Sequence, residues 1–513
     1  MRTEQSIKNS ISAIIVNVFT MLIGFIAQAI FIRLLGAEYL GLNGLFSNIV
    51  SMLAIAELGI GNAIIFNLYK PLANKNIEKI KSLMEFYKKA YRIIFLIVLI
   101  LGILILPFLK YIVGNVTISI NIYIIYALFL GSSLASYVLT YKRSILYADQ
   151  KKYIINYIHI LYLVFLNIAQ LLILYLTNNY YLYLVLKIIF QVLENILINI
   201  YVDRHYKFIN EKNIKKIDKE TEKNIFIRIK GLVFHKIGAF LVWGTDNILI
   251  STFFGVIQVG IYSNYNMILN AMNNLMYQFI SANTASIGNL LIENDKKKNY
   301  LIFEKINFLN FWLVTFSATA FLTIVQSFIT VWVGEEYLLN IFIVIILTLN
   351  YYQKMMRSAY DTFKESAGIW YEDKNIPIIE SLINIIASIV LLKIIGIAGI
   401  FLGTIISGLV IWFYSYPKFV YSKIFDRSYK SFFYDNLRYF IIFIIITTVS
   451  FFISLLIKNS NIFINLIYNA IIGIFLPNIL LFCVYHKTDK YKYFKEILKK
   501  LFKKILGVLK NEK

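Results

Sequence analysis

The sequence predicts an all-α polytopic membrane protein with about 14 transmembrane helices, built as two six-helix lobes in parallel repeat plus two C-terminal helices. Three observations predict this class. First, 59% of the 513 residues are hydrophobic and 15% are charged, which is too little charge to cover the surface of a soluble domain. Second, apolar runs of about 20 residues recur along the whole chain. Third, a glycine pattern recurs at a fixed distance.

Fourteen apolar runs are long enough to cross a bilayer as helices. They cover roughly residues 11–33, 40–66, 91–113, 118–140, 154–176, 180–202, 232–253, 261–287, 306–333, 339–357, 376–395, 397–416, 439–457 and 462–485. The connections on one side of the membrane are short, as at residues 177–179 and 334–337. We therefore expect no folded domain on that side.

The basic residues predict the orientation, because cytoplasmic loops retain lysine and arginine. When the segments between the runs are assigned alternately to the two sides of the membrane, 46 of the 51 lysines and arginines fall on the same side. The five exceptions are Arg33, Lys110, Lys187, Lys393 and Lys458. Both termini are therefore predicted to be cytoplasmic. The net charge of +23 is mostly a topology signal that anionic lipids would face, and it does not indicate nucleic-acid binding.

A repeat connects the two halves of the chain. The segments "LGAEYLGLNGLF" at 35–46 and "FGVIQVGIYSNY" at 254–265 each place two glycines five residues apart, at a constant offset of 219 residues. The same offset aligns small or polar residues of the helices that follow, as it does for Ser47 and Asn266. Glycine is also common in membrane hairpins, so the glycines alone are weaker evidence than the repeat as a whole.

The repeat divides the chain into four parts. Residues 1–219 are predicted to form one six-helix lobe with a cytoplasmic linker, and residues 220–438 a second lobe. Residues 439–486 add two transmembrane helices. Residues 487–513 alternate lysines with apolar residues, which predicts an amphipathic cytoplasmic tail that anchors on the membrane surface.

The residues that usually hold metals or carry out catalysis are scarce. The single cysteine, Cys483, excludes an internal disulfide, and the four histidines have no ligand spacing for a metal. The sequence has no phosphate-binding loop of the G-x-x-x-x-G-K-[ST] type. We therefore predict a protein that is not an enzyme and carries no cofactor.

Two segments resemble a known family. "FIRLLGAEYLGLNGLFSNIVSML" at 31–53 and "TDNILISTFFGVIQVGIYSNYNMI" at 245–268 resemble the first and second hairpins of bacterial polysaccharide flippases of the Wzx type. Their superfamily also holds the multidrug exporters (MATE) and the lipid II flippases. The resemblance covers essentially the whole chain and implies a MATE-like fold.

The resemblance also implies a function and a place in the cell. It implies export of an undecaprenyl-pyrophosphate-linked oligosaccharide from the inner to the outer leaflet of the bacterial cytoplasmic membrane, by alternating access. A polysaccharide polymerase and other assembly proteins are the expected partners. Such a cargo needs a solvated path, because unsatisfied polar groups are costly in hydrocarbon.

The predicted eighth helix supplies candidates for that path. Amides there recur every three or four residues, at Asn266, Asn270, Asn273, Asn274 and Gln278, and offer donors and acceptors for sugar hydroxyls. Polar side chains can also hold helices together. For a stripe of this length we favour cavity lining.

Basic residues at the inner end of the tenth helix are candidates for the pyrophosphate. Arg357 is predicted to receive it on loading, with Lys354 one turn away. The alternative is that both residues lie at the cytoplasmic interface and only mark the orientation. Arg33 lies near the outer end of the first helix, where contact with headgroups is as reasonable as a role in gating or in phosphate binding.

One face of the predicted sixth helix carries Lys187, Gln191 and Glu194. Ionisable residues at membrane depth are costly, so each is a candidate site residue. An internal ion-pair network and contact with the substrate are equally reasonable interpretations of this face.

A further set combines carboxylates with neutral oxygens. Asp246 lies in the seventh helix, Glu380 and Asn384 lie one turn apart in the eleventh, and Thr404 lies in the twelfth. Oxygen ligands of this kind suit Na⁺ or a proton relay. The resemblance adds that lipid II flippases have a sodium site on the same three helices. A structural role for Asp246 as a cap or ion-pair partner is the alternative.

Two other functions remain open. A multidrug or cation exporter of the same superfamily would share the fold, but a cavity rich in lysine and arginine would repel a cationic cargo. A membrane-embedded polysaccharide polymerase would need a catalytic pair, and the longest loop, residues 203–231, shows none.

Overall fold

The computed structural model describes residues 2–496 and 499, apart from 58–59, 115, 212–214, 216, 224, 226–237, 239, 243, 282–283, 294, 370–371 and 458. Within that part of the chain, nine helices are long and apolar enough to cross a membrane, and one bent pair of helices would make a tenth. The chain is a multi-pass membrane protein. It divides into two compact units, unit 1 from Met1 to Ser263 and unit 2 from Asn264 to Lys513.

Unit 1 consists of helices joined by short turns. Its helices are α1 (Arg2–Leu35), α2 (Ala37–Leu53), α3 (Ile60–Ala73), α4 (Ile77–Ile105), α5 (Leu109–Val113), α6 (Ile122–Tyr137), α7 (Arg143–Ala148), α8 (Lys152–Thr177), α9 (Tyr180–His205) and α10 (Asp246–Phe254), and α11 (Val256–Ser281) begins there. Asparagine caps begin several of them, because an Asn oxygen can accept from the first free backbone N–H groups. Asn76 accepts from Lys79 N, and Asn179 accepts from Leu182 N.

Unit 2 holds the rest of α11 and the helices that follow it. These are α12 (Thr284–Ile292), α13 (Lys296–Trp332), α14 (Ile341–Ser366), α15 (Ile376–Ile395), α16 (Ile397–Val410), α17 (Tyr429–Leu456) and α18 (Ile462–Tyr485). A π-helix from Ile411 to Ser422 continues α16. The predicted boundary between lobes, at residues 219 and 220, stays a prediction.

Some predicted runs are interrupted. The run at 40–66 is broken by a 3₁₀ turn at Ala54–Glu57. The run at 118–140 belongs to a pair of helices, Ile122–Tyr137 and Thr140–Ala148, that bends by 41°. Leu139 lies at this bend with a left-handed φ of 64°. Part of the run at 232–253, namely 232–237, 239 and 243, lies outside the described residues.

The outer pair of repeat glycines ends one helix and begins the next. Gly36 and Gly255 have φ of 86° and 85°, a region that favours glycine. Both glycines lie between consecutive helices, Gly36 between α1 and α2 and Gly255 between α10 and α11. The backbone therefore turns in the same way at both positions of the repeat.

The inner pair of repeat glycines lies at a close crossing of α2 and α11 inside unit 1. A Cβ on Gly41 would overlap the Val256 carbonyl oxygen, and a Cβ on Gly260 would overlap the Ala37 carbonyl oxygen. Each added Cβ would lie 3.1 Å from the backbone nitrogen of the other glycine. The contact is thus reciprocal at the offset of 219 residues. These glycines are required for the close approach of two backbones.

The linker after α9 is fastened to the start of α4 by ion pairs. Lys81 Nζ lies 2.8 Å from Glu211 Oε2, and Lys79 Nζ lies 2.5 Å from Asp218 Oδ1. The hydrogen bond from Lys79 and those from Thr221 hold the pKa of Asp218 below its usual range. These pairs are mostly exposed and hold the linker in place more than they stabilise the fold.

The first residues of the tail pack against a helix of unit 2. Residues 489–496 are helical, and the Phe494 ring lies 5.0 Å from the Trp312 ring of α13. Lys490 Nζ lies 2.7 Å from Glu304 Oε1 of the same helix. Residues 490–494 of the tail therefore pack on α13, and the rest of the predicted amphipathic helix beyond residue 496, apart from residue 499, lies outside the described residues.

Candidate functional site

A polar seam runs along α14 inside unit 2. Asn350 Nδ2 donates to the Phe401 carbonyl oxygen at 2.9 Å, and Gln353 Nε2 donates to the Ile405 carbonyl oxygen at 3.0 Å. The spacing of three residues places both amides on the face of α14 that packs on α16. Each amide donates a hydrogen bond from its NH₂ group to a backbone carbonyl. Its side-chain oxygen, Oδ1 or Oε1, accepts no hydrogen bond from the described residues.

The next member of the seam is an ion pair. Arg357 Nη1 lies 2.7 Å from Glu380 Oε1 on α15, and the two side chains are only 10% and 8% exposed. Gly408 makes room for the guanidinium, since a Cβ there would overlap Arg357 Nη2. In the described part of the chain, Arg357 Nε and Nη2 have no hydrogen-bond acceptor. The guanidinium therefore keeps donors that one carboxylate does not use.

The pair joins residues that the sequence assigned to different sites. Arg357 was predicted to bind the pyrophosphate and Glu380 to bind a cation. A carboxylate that neutralises a guanidinium at this distance attracts a second cation less strongly. Both roles stay predictions, but Arg357 and Glu380 cannot be treated as independent.

Three residues of the predicted cation site, Glu380, Asn384 and Thr404, lie close together in unit 2. Asn384 lies one turn after Glu380 on α15, and its Nδ2 donates to Thr404 Oγ1 at 3.0 Å. It also lies 3.4 Å from Ser407 Oγ. Asn384 Oδ1 is buried without a hydrogen-bond partner in the described residues. The fourth residue, Asp246, is buried in the first turn of α10 in unit 1.

The amide stripe of α11 is partly open. Asn270 is exposed and donates from Nδ2 to Asn266 Oδ1 at 3.3 Å. Asn266, Asn273 and Gln278 are half-buried. A row of accessible amides within a helix of a membrane protein favours a wet surface, because contact with hydrocarbon would leave their hydrogen bonds unmade.

Unit 1 has its own buried charge cluster. Glu194 on α9 is 2% exposed, and its carboxylate lies 3.1 Å from Arg143 Nη2 and 2.9 Å from His159 Nδ1. Gln191 Nε2 donates to the same carboxylate at 3.1 Å. The guanidinium also donates to Asn195 Oδ1 at 2.6 Å. The cluster thus joins α7, α8 and α9.

Sequence reasoning found only half of this cluster. Gln191 and Glu194 lie on the predicted face, but Arg143 and His159 come from two other helices. Helical spacing relates residues within one helix and carries no signal for partners on another. Lys187, two turns earlier on α9, is half-buried with Nζ 5.4 Å from the Phe129 ring centroid.

Two further basic residues were predicted to contact the substrate. Arg33 is exposed in the last turn of α1, within unit 1. Lys354 is half-buried on α14, in unit 2, one turn before Arg357. The substrate roles predicted for both stay predictions.

Comparison with known proteins identifies the family. The family described as polysaccharide biosynthesis protein matches residues 6–287, which is more than half of the chain. The chain belongs to this family. No curated protein matched the chain in a sequence comparison.

A flippase and two transporters of known structure share this fold. The lipid II flippase MurJ, in an inward closed conformation, covers 94% of this chain and 99% of its own length, with a TM-score of 0.65 and 15% identity. An inward-facing multidrug resistance transporter of the MATE family covers 76% of this chain and 91% of its own, with a TM-score of 0.59 and 13% identity. A MATE transporter from Vibrio cholerae covers 80% and 95%, with a TM-score of 0.57 and 12% identity.

At these identities the structures establish the fold of this polysaccharide biosynthesis family member and no more. The predicted all-α, MATE-like fold class is confirmed. Together with the family match, it also confirms the resemblance to Wzx-type polysaccharide flippases.

Proposed function

We propose that this protein is a flippase for an undecaprenyl-pyrophosphate-linked oligosaccharide. It moves this lipid from the inner to the outer leaflet of the bacterial cytoplasmic membrane, where it lies with both termini in the cytoplasm. The observation that carries the proposal is the combination of a polysaccharide biosynthesis family match over residues 6–287 with a fold shared with a lipid II flippase over 94% of the chain.

The polar seam and the amide stripe support this cargo. A sugar chain with two phosphates must keep its hydrogen bonds while it passes about 30 Å of hydrocarbon. The amides of α11 offer both donors and acceptors, which suits hydroxyl groups. Arg357 has unused donors on a guanidinium, which suits phosphate oxygens.

A multidrug exporter is the second candidate, and the MATE structures favour it because they share the fold. The family match favours a polysaccharide cargo instead. A polysaccharide polymerase has no observation in its favour among the described residues. We place the protein in an assembly system that also includes a polymerase.

For the coupling ion we propose Na⁺ or H⁺. Asn384 Oδ1 and Thr404 Oγ1 offer neutral oxygens in unit 2, and Glu380 would contribute only while its bond to Arg357 is broken. If Na⁺ binds there, it should raise the Tm of the purified protein more than K⁺ does. Asn384→Leu should remove this difference.

The proposal is tested by depletion and by reconstitution. Depleting the protein should make the lipid-linked oligosaccharide accumulate on the inner leaflet. Purified protein in proteoliposomes should make the same lipid accessible to a glycan-modifying reagent outside. If the lipid stays inside while a cationic dye is exported, the protein is a multidrug exporter. A depleted cell that still presents the lipid on the outer leaflet would also contradict the proposal.

A further inference from the structure

The buried cluster of unit 1 fixes one histidine in a defined tautomer. Glu194 pairs with the guanidinium of Arg143, so it is an anion and can only accept hydrogen bonds. His159 Nδ1, at 2.9 Å from Glu194, must therefore carry the hydrogen of this bond. In the neutral ring the other nitrogen, Nε2, then has a free lone pair.

The ring of His159 is less enclosed than the carboxylate to which it bonds. The His159 side chain is 35% exposed, whereas Glu194 beneath it is 2% exposed. Within the described residues, Nε2 makes no hydrogen bond, and the ring lies against Tyr162 at 5.4 Å with an interplanar angle of 23°. The acceptor thus lies at the open edge of a closed cluster.

We propose that His159 Nε2 is a proton-binding site of unit 1, with Glu194 as the residue that positions it, and that protonation there makes export depend on pH. The last clause rests on the proposed flippase function, whereas the proton site itself does not. The ligand is a proton taken from water. It adds to the Nε2 lone pair while the Nδ1 hydrogen stays on the bond to Glu194.

The charges around the site set its two states. Arg143 and Glu194 cancel, so the cluster is neutral with neutral His159 and carries one positive charge after protonation. Arg143 on α7 and Glu194 on α9 are the charged members of the cluster. Tyr147 on α7 and Tyr162 on α8 interact electrostatically with both of them, and Tyr183 on α9 interacts with Tyr162. Lys187 lies two turns before Glu194 on α9. Helix α1 also packs on α8 and has no charged residue from 11 to 32.

A purely structural network does not need a titratable third partner. Arg143 already neutralises Glu194, and Gln191 already supplies a neutral donor at 3.1 Å. Protonation of His159 makes two cations share one carboxylate, one from α7 and one from α8. The proton therefore strengthens the bond of α8 to α9 at the expense of the bond from α7. This gives the proton a mechanical effect on three helices.

The first test measures protonation directly. The chain has four histidines, so substituting the other three, His205, His235 and His486, by Gln leaves His159 alone. In this protein, labelled with ¹⁵N-histidine, we expect the Nδ1–H tautomer in the neutral ring and the imidazolium, with hydrogens on both nitrogens, at acidic pH. Glu194→Gln removes the anion that accepts the Nδ1 hydrogen, so the imidazolium signal at a given acidic pH should be weaker than in the parent protein.

The proposal is overturned if His159 stays neutral from about pH 8 to about pH 4.5, or if Glu194→Gln leaves the titration unchanged. Whether His159 stays neutral is measured in the single-histidine protein alone, without the Glu194→Gln substitution. A Glu194→Gln protein that does not insert therefore leaves the test decisive.

The second test measures coupling in proteoliposomes that contain the lipid-linked oligosaccharide. His159→Gln keeps an amide donor for Glu194 but cannot bind the proton, so its flipping rate should no longer vary with pH. The control is His205→Gln, on the same helix as Glu194, where the exposed ring bonds to the Tyr201 carbonyl oxygen at 2.8 Å. This variant should keep the wild-type pH profile.

A wild-type pH profile in His159→Gln would overturn the coupling. If the wild-type protein flips none of this lipid, the flippase proposal fails, and the titration alone decides the proton site.

Discussion

Adding one methyl group to Gly41 should push apart the two hairpins that the repeat brings together. The new Cβ would overlap the Val256 carbonyl oxygen and lie 2.7 Å from the Val256 carbonyl carbon. These are backbone atoms, so no side chain can rotate away, and α2 and α11 would have to separate by roughly 1 Å. Overpacking of this kind costs about 1–3 kcal/mol.

The reciprocal geometry makes the prediction sharper. Gly260→Ala should cost a similar amount, because its Cβ meets the Ala37 carbonyl oxygen in the equivalent position. The double variant should cost clearly less than the two single costs together, since one separation of the helices relieves both overlaps. Independent sites would instead add.

The assay is thermal unfolding of the purified protein, with Gly288→Ala as the matched control. Gly288 is also helical, and a Cβ there meets nothing within 4 Å. The control should therefore be neutral or stabilised by up to about 1 kcal/mol. Gly41→Ala with the stability of this control, or additive costs in the double variant, would refute the reasoning.

Three further predictions concern topology, the tail and packing. In a Cys483→Ser background, cysteines that replace Asn178 and Glu336 should react with an impermeant thiol reagent added outside intact cells. A cysteine that replaces Lys215 should not react. Labelling at position 215 would contradict the predicted orientation. Deleting residues 490–513 should lower the Tm, because the contacts with Trp312 and Glu304 are lost. The deleted protein should still flip the lipid at a measurable rate once it is inserted. Complete loss of flipping with normal insertion would contradict the anchor role. Gly403→Ala should destabilise unit 2 by about 1–3 kcal/mol, because its Cβ would lie 2.5 Å from the Ser388 backbone nitrogen; an unchanged Tm would contradict the packing of α15 on α16.

The fold was predictable because the membrane imposes lengths and periods that the sequence shows directly. A run of about 20 apolar residues has few alternatives to a helix in hydrocarbon. The glycines at 36, 41, 255 and 260 marked the repeat, and the structure gives each pair one role. Runs such as 261–287 and 339–357 carry amides, so their helices α11 and α14 fall outside the set of strongly apolar spans.

The partners of the buried charges were not predictable. His159 and Glu194 are 35 residues apart, and nothing in the spacing indicates that they meet. For the same reason Arg357 and Glu380 were assigned to two sites. The π-helix at Ile411–Ser422, which contains Pro417, was also missed, because its residues read as an ordinary apolar helix. Proline at that point removes a backbone donor, which fits a local change of hydrogen-bond pattern.

The Arg357 and Glu380 pair can be separated into a structural and a transport role. Arg357→Met alone would leave Glu380 as an uncompensated buried charge and should cost about 3–5 kcal/mol. Arg357→Met with Glu380→Gln removes both charges, so the Tm should return close to wild type. If Arg357 grips the pyrophosphate, the double variant should insert normally and still fail to flip the lipid. Arg357→Lys should recover only part of the rate, because a point charge replaces a bidentate donor.

Flipping that returns together with stability in the double variant would show that the pair is structural. The cargo's phosphates would then be bound by other cations, and Lys354, one turn before Arg357 on α14, is the first to substitute next. The comparison uses stability as its internal reference. A loss of flipping is therefore attributed to the guanidinium only in a protein that is otherwise as stable as wild type.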